Sequence, residues 1–470
     1  MRSPDVQPVR PASFHTLIVK EWRDVLAGHT LWILLFLLSL LVGYSYMQAV
    51  ILYGEASRSA AQLPEVARGL SPLDGIFVPT FGALYLANTF LLPFVAIRAI
   101  ASEKQTGSLK LLLQLPCSLS TILSAKLLVL AAVWLLVAMP CASTVVLWSA
   151  SGGHIGWAEL ANLLLGHALY AAVVIAIAVF VGVLAESGAT AAILALAATM
   201  AFWVLDFAAS GDSGLLKSLS NLSLTTLLRG FEQGLFSSSA LFGALIASAA
   251  LITIAGIWLD LRRTQKRKIA RSGLAVIIAC SLAAAAGFVP LYIDTTENRR
   301  NSFPPADTAT LRALDRPLNV LVHLAPQDPR YIDFERNILG KLRRSLRKFT
   351  VTLQSETRSG VFEASDQYGL MVYRYDGKQA ESRSTGAGEV LPLIYGLAGI
   401  ERKTVPERQP YPGYPLQAGN DVAQVWFYGL LPLLIIIAWS VAHQGYLVSL
   451  KRARQPLPAD IIARRPFKET

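Results

Sequence analysis

The chain has 470 residues, of which 53% are hydrophobic and only 16% charged, with a mean hydropathy of +0.47. Soluble domains carry about a quarter charged residues, so this composition excludes an ordinary soluble enzyme and puts most of the chain in a bilayer. The formal net charge is +11, but the basic residues cluster beside apolar runs, as topology signals do, and no nucleic-acid partner is expected.

Met1–Arg10 holds prolines and charges without an apolar core, so no cleavable signal peptide is expected and the first span acts as the anchor. His15–Ala27 reads as an interfacial helix. Leu17, Ile18, Trp22, Val25 and Leu26 fall on an apolar stripe, and Lys20, Glu21, Arg23 and Asp24 fall largely on the other side. A span needs about 20 mostly apolar residues. By that measure eight follow: Leu31–Val50, Phe77–Ile97, Thr121–Val146, Ala161–Leu184, Thr190–Phe207, Ala240–Leu259, Gly273–Ile293 and Val425–Ser449. Cys117, Cys141 and Cys280 all lie within or beside these runs, which leaves neither a disulfide framework nor zinc spacing.

Lys and Arg placement orients the chain. With the N-terminus inside, Lys20, Arg23, Arg98, Lys104, Lys110, Lys126, the cluster Arg262–Arg271 and the tail all face the cytoplasm. The polar insert Asp294–Asp421 is then extracytoplasmic. It reads as a small α/β unit: a buried strand Asn319–Leu324, a helix Tyr331–Lys348, a strand Val351–Leu353, and strands Gly369–Tyr375 and Ala380–Arg383 flanking an Asp376-Gly377 turn. A second helix, Glu389–Ile400, and an extended Pro-rich tether, Val405–Leu416, lead back to the membrane. The expected fold class is therefore an α-helical polytopic membrane protein with a small α/β domain between its last two spans.

No Gly-x-x-x-x-Gly-Lys-Ser/Thr phosphate loop, His-Glu-x-x-His or Gly-x-Ser-x-Gly element occurs. No enzyme, bound cofactor or metal site is expected in this chain. Polar residues are sparse in the spans. Asn88 and His167 lie deepest, with Asn162 nearer one end and Asp206 near a span end; these four are the candidates for a substrate path. Such sparse internal charge argues against an ion-coupled carrier and for an external motor. The loop Ala101–Ser120 offers a grip: Glu103, Lys104 and Lys110 can pair with a soluble protein, Leu109 and Leu111–Leu113 are apolar, and Pro116 ends the helix. The residues alone leave a docking helix and a partnerless interfacial helix equally open.

Glu103-Lys-Gln-Thr-Gly107-Ser-Leu-Lys-Leu-Leu-Leu-Gln-Leu-Pro116, followed by Ser124-Ala-Lys126-Leu, resembles the first cytoplasmic loop of ABC-2-type permeases. Ala125 stands where a Gly is common in that family, and Lys110 where an acid is common. Lys20-Glu-Trp-Arg23 resembles the family's connecting helix, and Leu227–Leu241 looks like its segment before the sixth span, closest to the gliding-motility and nitrous-oxide-reductase-maturation branches. Asp294-Thr-Thr-Glu-Asn-Arg-Arg-Asn-Ser-Phe303 and the strand after it look like the start of a gliding-motility auxiliary domain, truncated here, with Phe303 in place of the usual Leu.

The resemblance implies a permease core over residues 12–262, a seventh span (272–293), the auxiliary-like domain (294–421), an eighth span (425–449) and a basic cytoplasmic tail (450–470). It implies the transmembrane subunit of an ABC transporter in the bacterial cytoplasmic membrane, with both termini cytoplasmic. Two copies of a cytoplasmic ATPase, carrying ATP and Mg, would dock on Lys20, Glu21, Arg23, Glu103, Lys104, Thr106, Gly107, Ser108, Leu109, Leu112 and Pro116. A second permease copy or related permease, membrane lipid and an extracytoplasmic protein are the other expected partners. A machine that uses ATP to act on extracytoplasmic proteins, without moving a solute, is the competing reading. The substrate itself is not legible.

Overall fold

The computed structural model describes residues 14–60, 67–114, 116–209, 223–288, 291–325, 328–354, 367–401 and 411–454, the side chains of 206–209 and 449–454 excepted. Eight helices among these are long and apolar enough to cross a membrane. An amphipathic helix, α1 (Phe14–Ala27), leads into α2 (His29–Ala60), and α3 (Leu73–Gln105) returns. The short α4 (Ser108–Gln114) precedes α5 (Leu119–Ala150), α6 (Trp157–Leu184) and α7 (Gly188–Ala209). After α8 (Leu224–Glu232) and strand β1 (Leu235–Ser237) come α9 (Ser238–Leu259) and α10 (Gln265–Gly287). The last span is α14 (421–454).

Three turns in these spans are widened to the π form, closed by Val78 N–H to the Leu73 carbonyl, Leu92 N–H to Ala87 and Leu431 N–H to Trp426. Each closes one residue before a proline, Pro79, Pro93 or Pro432. A proline ring clashes with the carbonyl four residues back, and one widened turn moves that carbonyl aside without breaking the helix.

The spans pack unequally. The α6 window is 78% buried, whereas none of the α10 window is. Thus α6 is the hub, touching α3, α7, α8 and α9, while α10 leans chiefly on α9 among the described residues and turns its apolar residues to lipid. The last span lies beside the first: a Cβ on Gly43 would sit 2.4 Å from the Phe427 Cβ, so glycine permits the close approach of α2 and α14. Trp426 Nε1 adds a hydrogen bond to Ser143 Oγ of α5 at 3.0 Å.

The α/β domain begins at strand β2 (Tyr292–Asp294) and helix α11 (Pro305–Arg312). Strand β3 (Leu318–Val322) runs parallel to β4 (Phe349–Leu353) through a crossover helix, α12 (329–345). Strands β5 (Met371–Tyr375) and β6 (Lys378–Ser382) extend the sheet antiparallel, in the order β4-β3-β5-β6, and α13 (Ala387–Ala398) covers it. The β5–β6 turn is Asp376-Gly377, with φ of 48° and 79°, as a two-residue hairpin requires. Val320, Val322, Tyr373, Phe334, Ile338 and Ile394 fill the core.

Two sequence expectations are corrected here. The seventh span was expected over Gly273–Ile293; the helix is Gln265–Gly287, and Tyr292–Asp294 leaves it to form β2. That strand pairs antiparallel with β1, Leu235 opposite Asp294 and Ser237 opposite Tyr292. Glu21, expected on the polar side of α1, is buried at 4% exposure because a counter-charge awaits it inside. Of the expected tether Val405–Leu416, residues 405–410 lie outside the described residues, and the rest forms neither helix nor strand. There Tyr414 N–H donates to the Leu70 carbonyl at 3.1 Å, Tyr53 OH to the Tyr414 carbonyl at 2.7 Å, and Leu416 N–H to Ser57 Oγ at 3.0 Å.

Candidate functional site

At the end of the bundle away from the α/β domain, α1 lies across the ends of the spans. Leu17 packs on Ile122 and Ala125 of α5, with Leu112 and Leu113 of α4 alongside. Ile18, Trp22, Val25 and Leu26 pack against the main core, so the stripe read from the sequence is the buried face. On that face Lys126 of α5, 3% exposed, reaches Glu21 Oε2 at 2.8 Å and Glu103 Oε2 at 2.8 Å. Its ammonium also donates to the Ala99 carbonyl at 2.8 Å. Lys20 closes the cluster, 2.9 Å from Glu21 Oε1 and hydrogen-bonded to Glu103 Oε1. Burial alone would lower the Lys20 pKa, but the Glu103 hydrogen bond and the Glu21 and Glu103 charges outweigh it and hold the ammonium above its ordinary value.

Two carboxylates and two ammonium groups therefore join α1, the end of α3 and the start of α5. Removing one partner of such a buried cluster leaves uncompensated charge, at a cost of about 3–5 kcal/mol. Lys104 makes a separate tie: its Nζ donates to the Val183 and Ala185 carbonyls at 2.9 and 2.6 Å, capping the end of α6. Helix α3 ends at Gly107, whose φ of +76° requires glycine although its surroundings would admit a Cβ. Thr106 Oγ1 donates to the Ser102 carbonyl at 3.0 Å, and Ser108 Oγ to the Glu103 carbonyl at 3.3 Å, closing the corner. Leu109 is buried and Leu112 half-buried, while Arg23, Lys110, Leu111 and Pro116 are exposed, Leu111 to 67%.

The residues expected to meet an ATPase thus divide by orientation. Glu21, Glu103, Lys104 and Leu109 face the protein; Arg23, Thr106, Ser108 and Pro116 face out. Lys126, the centre of the cluster, was legible as a basic residue at a span end and as part of the Ser124–Leu127 stretch, but not as the partner of Glu21 and Glu103.

The membrane-embedded candidates lie about α6. Asn88 is fully buried within the π-turn Ala87–Leu91, its amide without a hydrogen bond among the described residues. His167 is fully buried beside Phe81, ring centroids 5.4 Å apart, with Glu232 Oε1 at 3.8 Å. Asn162 Nδ2 donates to the Phe231 carbonyl at 2.9 Å and so holds the end of α8. The Asp206 side chain lies outside the described residues. Next to this group Thr89 Oγ1 and Tyr170 OH are 2.7 Å apart. A cleft of about 100 Å³ is lined by Tyr85, Trp203, Arg229 and Glu232. Burial raises the Glu232 pKa, and Arg229 partly offsets it. Glu232 and Arg229 come from the short helix α8, which is not a span and which hydropathy does not single out.

These features define a multi-pass α-helical membrane protein whose lead helix and inter-span helix are fastened to the ends of three spans. Residues 15–262, more than half of the chain, match the family model described as ABC-2 family transporter protein, and the chain belongs to that family. No curated protein matches it. The family supports a transmembrane subunit of an ABC transporter, a transport component that is not itself catalytic and that implies an ATPase partner.

Proposed function

We propose that this chain is the permease subunit of a bacterial ABC transporter, exporting a substrate across the cytoplasmic membrane under the drive of a separate ATPase. The observation that carries this is the buried cluster Lys20–Glu21–Glu103–Lys126. A push on α1 or α4 passes through it to α3 and α5, and through Lys104 to α6, without a flexible joint between. Two ATPase copies, with ATP and Mg, dock on the exposed face formed by Arg23, Thr106, Ser108, Lys110, Leu111 and Pro116. Glu21, Glu103, Lys104, Gly107, Leu109 and Leu112 shape that face from beneath. The docking face is cytoplasmic, as are both termini, and the α/β domain is extracytoplasmic. A second permease completes the path, which passes Asn88, Asn162, His167 and Asp206. Copurification from mild detergent tests this: an ABC ATPase accompanies the parent and is lost from Gly107→Pro, which cannot adopt the left-handed corner. Absence of an ATPase from a parent preparation that keeps other complexes intact would overturn the reading.

A second reading has its own support. The α/β domain, of the gliding-motility auxiliary type, is welded to the membrane part rather than tethered. Besides the β1–β2 pairing, Arg300 pairs with Asp74, and Glu297 N–H donates to Glu159 Oε1 at 2.6 Å. Motion of the spans would reach an extracytoplasmic protein partner directly, without a solute. Partner binding that survives while no substrate stimulates ATP hydrolysis would favour it.

A further inference from the structure

A cavity of about 660 Å³ opens between α8, α9 and α10 in the half of the membrane next to the α/β domain, within the usual size of a small-ligand site. Small side chains hollow it: Gly243 and Ala247 on α9, Ala279 and Ala283 on α10. Such residues ordinarily let helices close on each other; here they border a void. One end differs in chemistry. Ser237, Ser239 and the Tyr292 ring line the cavity where α9 begins and β2 passes.

Two cations lie beside β2, the strand that passes that end. The Arg344 guanidinium donates to the Asn301 carbonyl at 2.6 Å, and Asn301 N–H in turn donates to Asp294 Oδ2 at 2.9 Å. Lys341, one turn before it on α12, has its Nζ 5.7 Å from the centre of the Phe303 ring, next to Ser302, whose hydroxyl donates to Asp294 Oδ2 at 2.8 Å. Among the described residues neither has a carboxylate within ion-pair distance, and Asp294 is already engaged by Thr296, Asn301 and Ser302. Burial lowers the pKa of both cations, as expected of charges lacking full compensation. Phe288 and Leu291, 85% and 53% exposed just beyond α10, are apolar residues of the kind that sit at a membrane surface. An apolar slot beneath hydroxyls and two cations only partly offset by Asp294 fits an amphiphile with an anionic head.

We propose that this cavity binds one acidic phospholipid, its acyl chain between α9 and α10 and its phosphate beneath Lys341 and Arg344. The α10 wall and both cations lie outside the family-matched residues 15–262, whereas α8 and α9 lie within them, so the site sits at the seam between the permease core and the added elements.

Native mass spectrometry of the full chain, delipidated in detergent and titrated with 16:0–18:1 phosphatidylglycerol or the matching phosphatidylcholine, tests this. The parent retains one phosphatidylglycerol with a preference over phosphatidylcholine of about tenfold or more, the scale of two basic side chains beside an anionic lipid. Lys341→Gln and Arg344→Gln together bring the two lipids to equal retention, and Ala247→Phe removes the tightly held lipid of either kind. Lys341→Gln alone, which breaks no hydrogen bond, gives an intermediate preference and guards against a domain loosened by loss of the Arg344 contact. Equal retention of the two lipids by the parent overturns the headgroup assignment. Undiminished retention by Ala247→Phe, with unchanged thermal unfolding, overturns the cavity.

Discussion

Lys126→Met is the sharpest perturbation of the coupling cluster. The substitution keeps length and apolar bulk but removes the buried ammonium that lies 2.8 Å from both Glu21 and Glu103. Those carboxylates are 4% and 9% exposed, so water cannot replace the lysine. Breaking a buried pair costs about 3–5 kcal/mol. Lys20 remains on both carboxylates, 2.9 Å from Glu21 and bonded to Glu103, which sets the expected loss near the lower figure, about 3 kcal/mol. Denaturant unfolding in mild detergent measures it, and a cycle with Glu21→Gln isolates the pair. The double variant, with one charge of each sign gone, should recover at least about 1 kcal/mol of the loss, since contacting partners couple by 0.5–3 kcal/mol. Capture of the ATPase should fall with stability in Lys126→Met and return with it in the double variant. A Lys126→Met protein as stable as the parent, or strict additivity with Glu21→Gln, would refute the cluster as a rigid joint.

Gly107→Ala should cost about 1 kcal/mol through its positive φ alone, with no steric clash to relieve; unfolding curves check the size, and a larger loss would point to packing instead. Gly43→Val should force α14 off α2 by overpacking against Phe427, at about 1–3 kcal/mol, read as weaker protease resistance of the last span. Asp328 caps α12 by accepting from Arg330 N–H at 2.9 Å and binds Tyr368 OH at 2.7 Å. Hydrogen bonds from Arg330 and then Tyr368 hold its pKa well below the usual carboxylate range. Its contribution is therefore full above the unfolded value, about pH 4, and lost as pH falls through the lower folded value. Asp328→Ala should lower hydrogen-exchange protection of 329–345 by about 1 kcal/mol at neutral pH, and parent and variant should converge on acidification.

The eight spans were legible because each is a long apolar run that no soluble core explains. The β5–β6 hairpin was legible too, because Asp376-Gly377 can serve both positions of a turn that needs positive φ. What escaped was long-range. Glu21 meets Lys126 across 105 positions, and amphipathicity within α1 cannot report a counter-charge on another helix, so Glu21 read as solvent-facing. Tyr292 and Ile293 read as the end of a span because apolar residues suit a span and a strand equally well, and the partner of that strand, Leu235–Ser237, lies more than fifty residues earlier. Asn88 and His167 were found by a simple signal, polarity inside an apolar run. Glu232, 3.8 Å from His167, was not, since it lies outside every run.

The central claim is that the face bearing Leu111 receives an ABC ATPase. The most direct test places a photo-crosslinking residue at Leu111, 67% exposed, and irradiates intact native membranes before solubilisation. The account predicts a crosslinked product containing this chain and a soluble ABC ATPase, absent when the same group sits at the lipid-facing Ile277. A position-111 probe that captures only lipid or other membrane chains, while the protein remains folded, would contradict it.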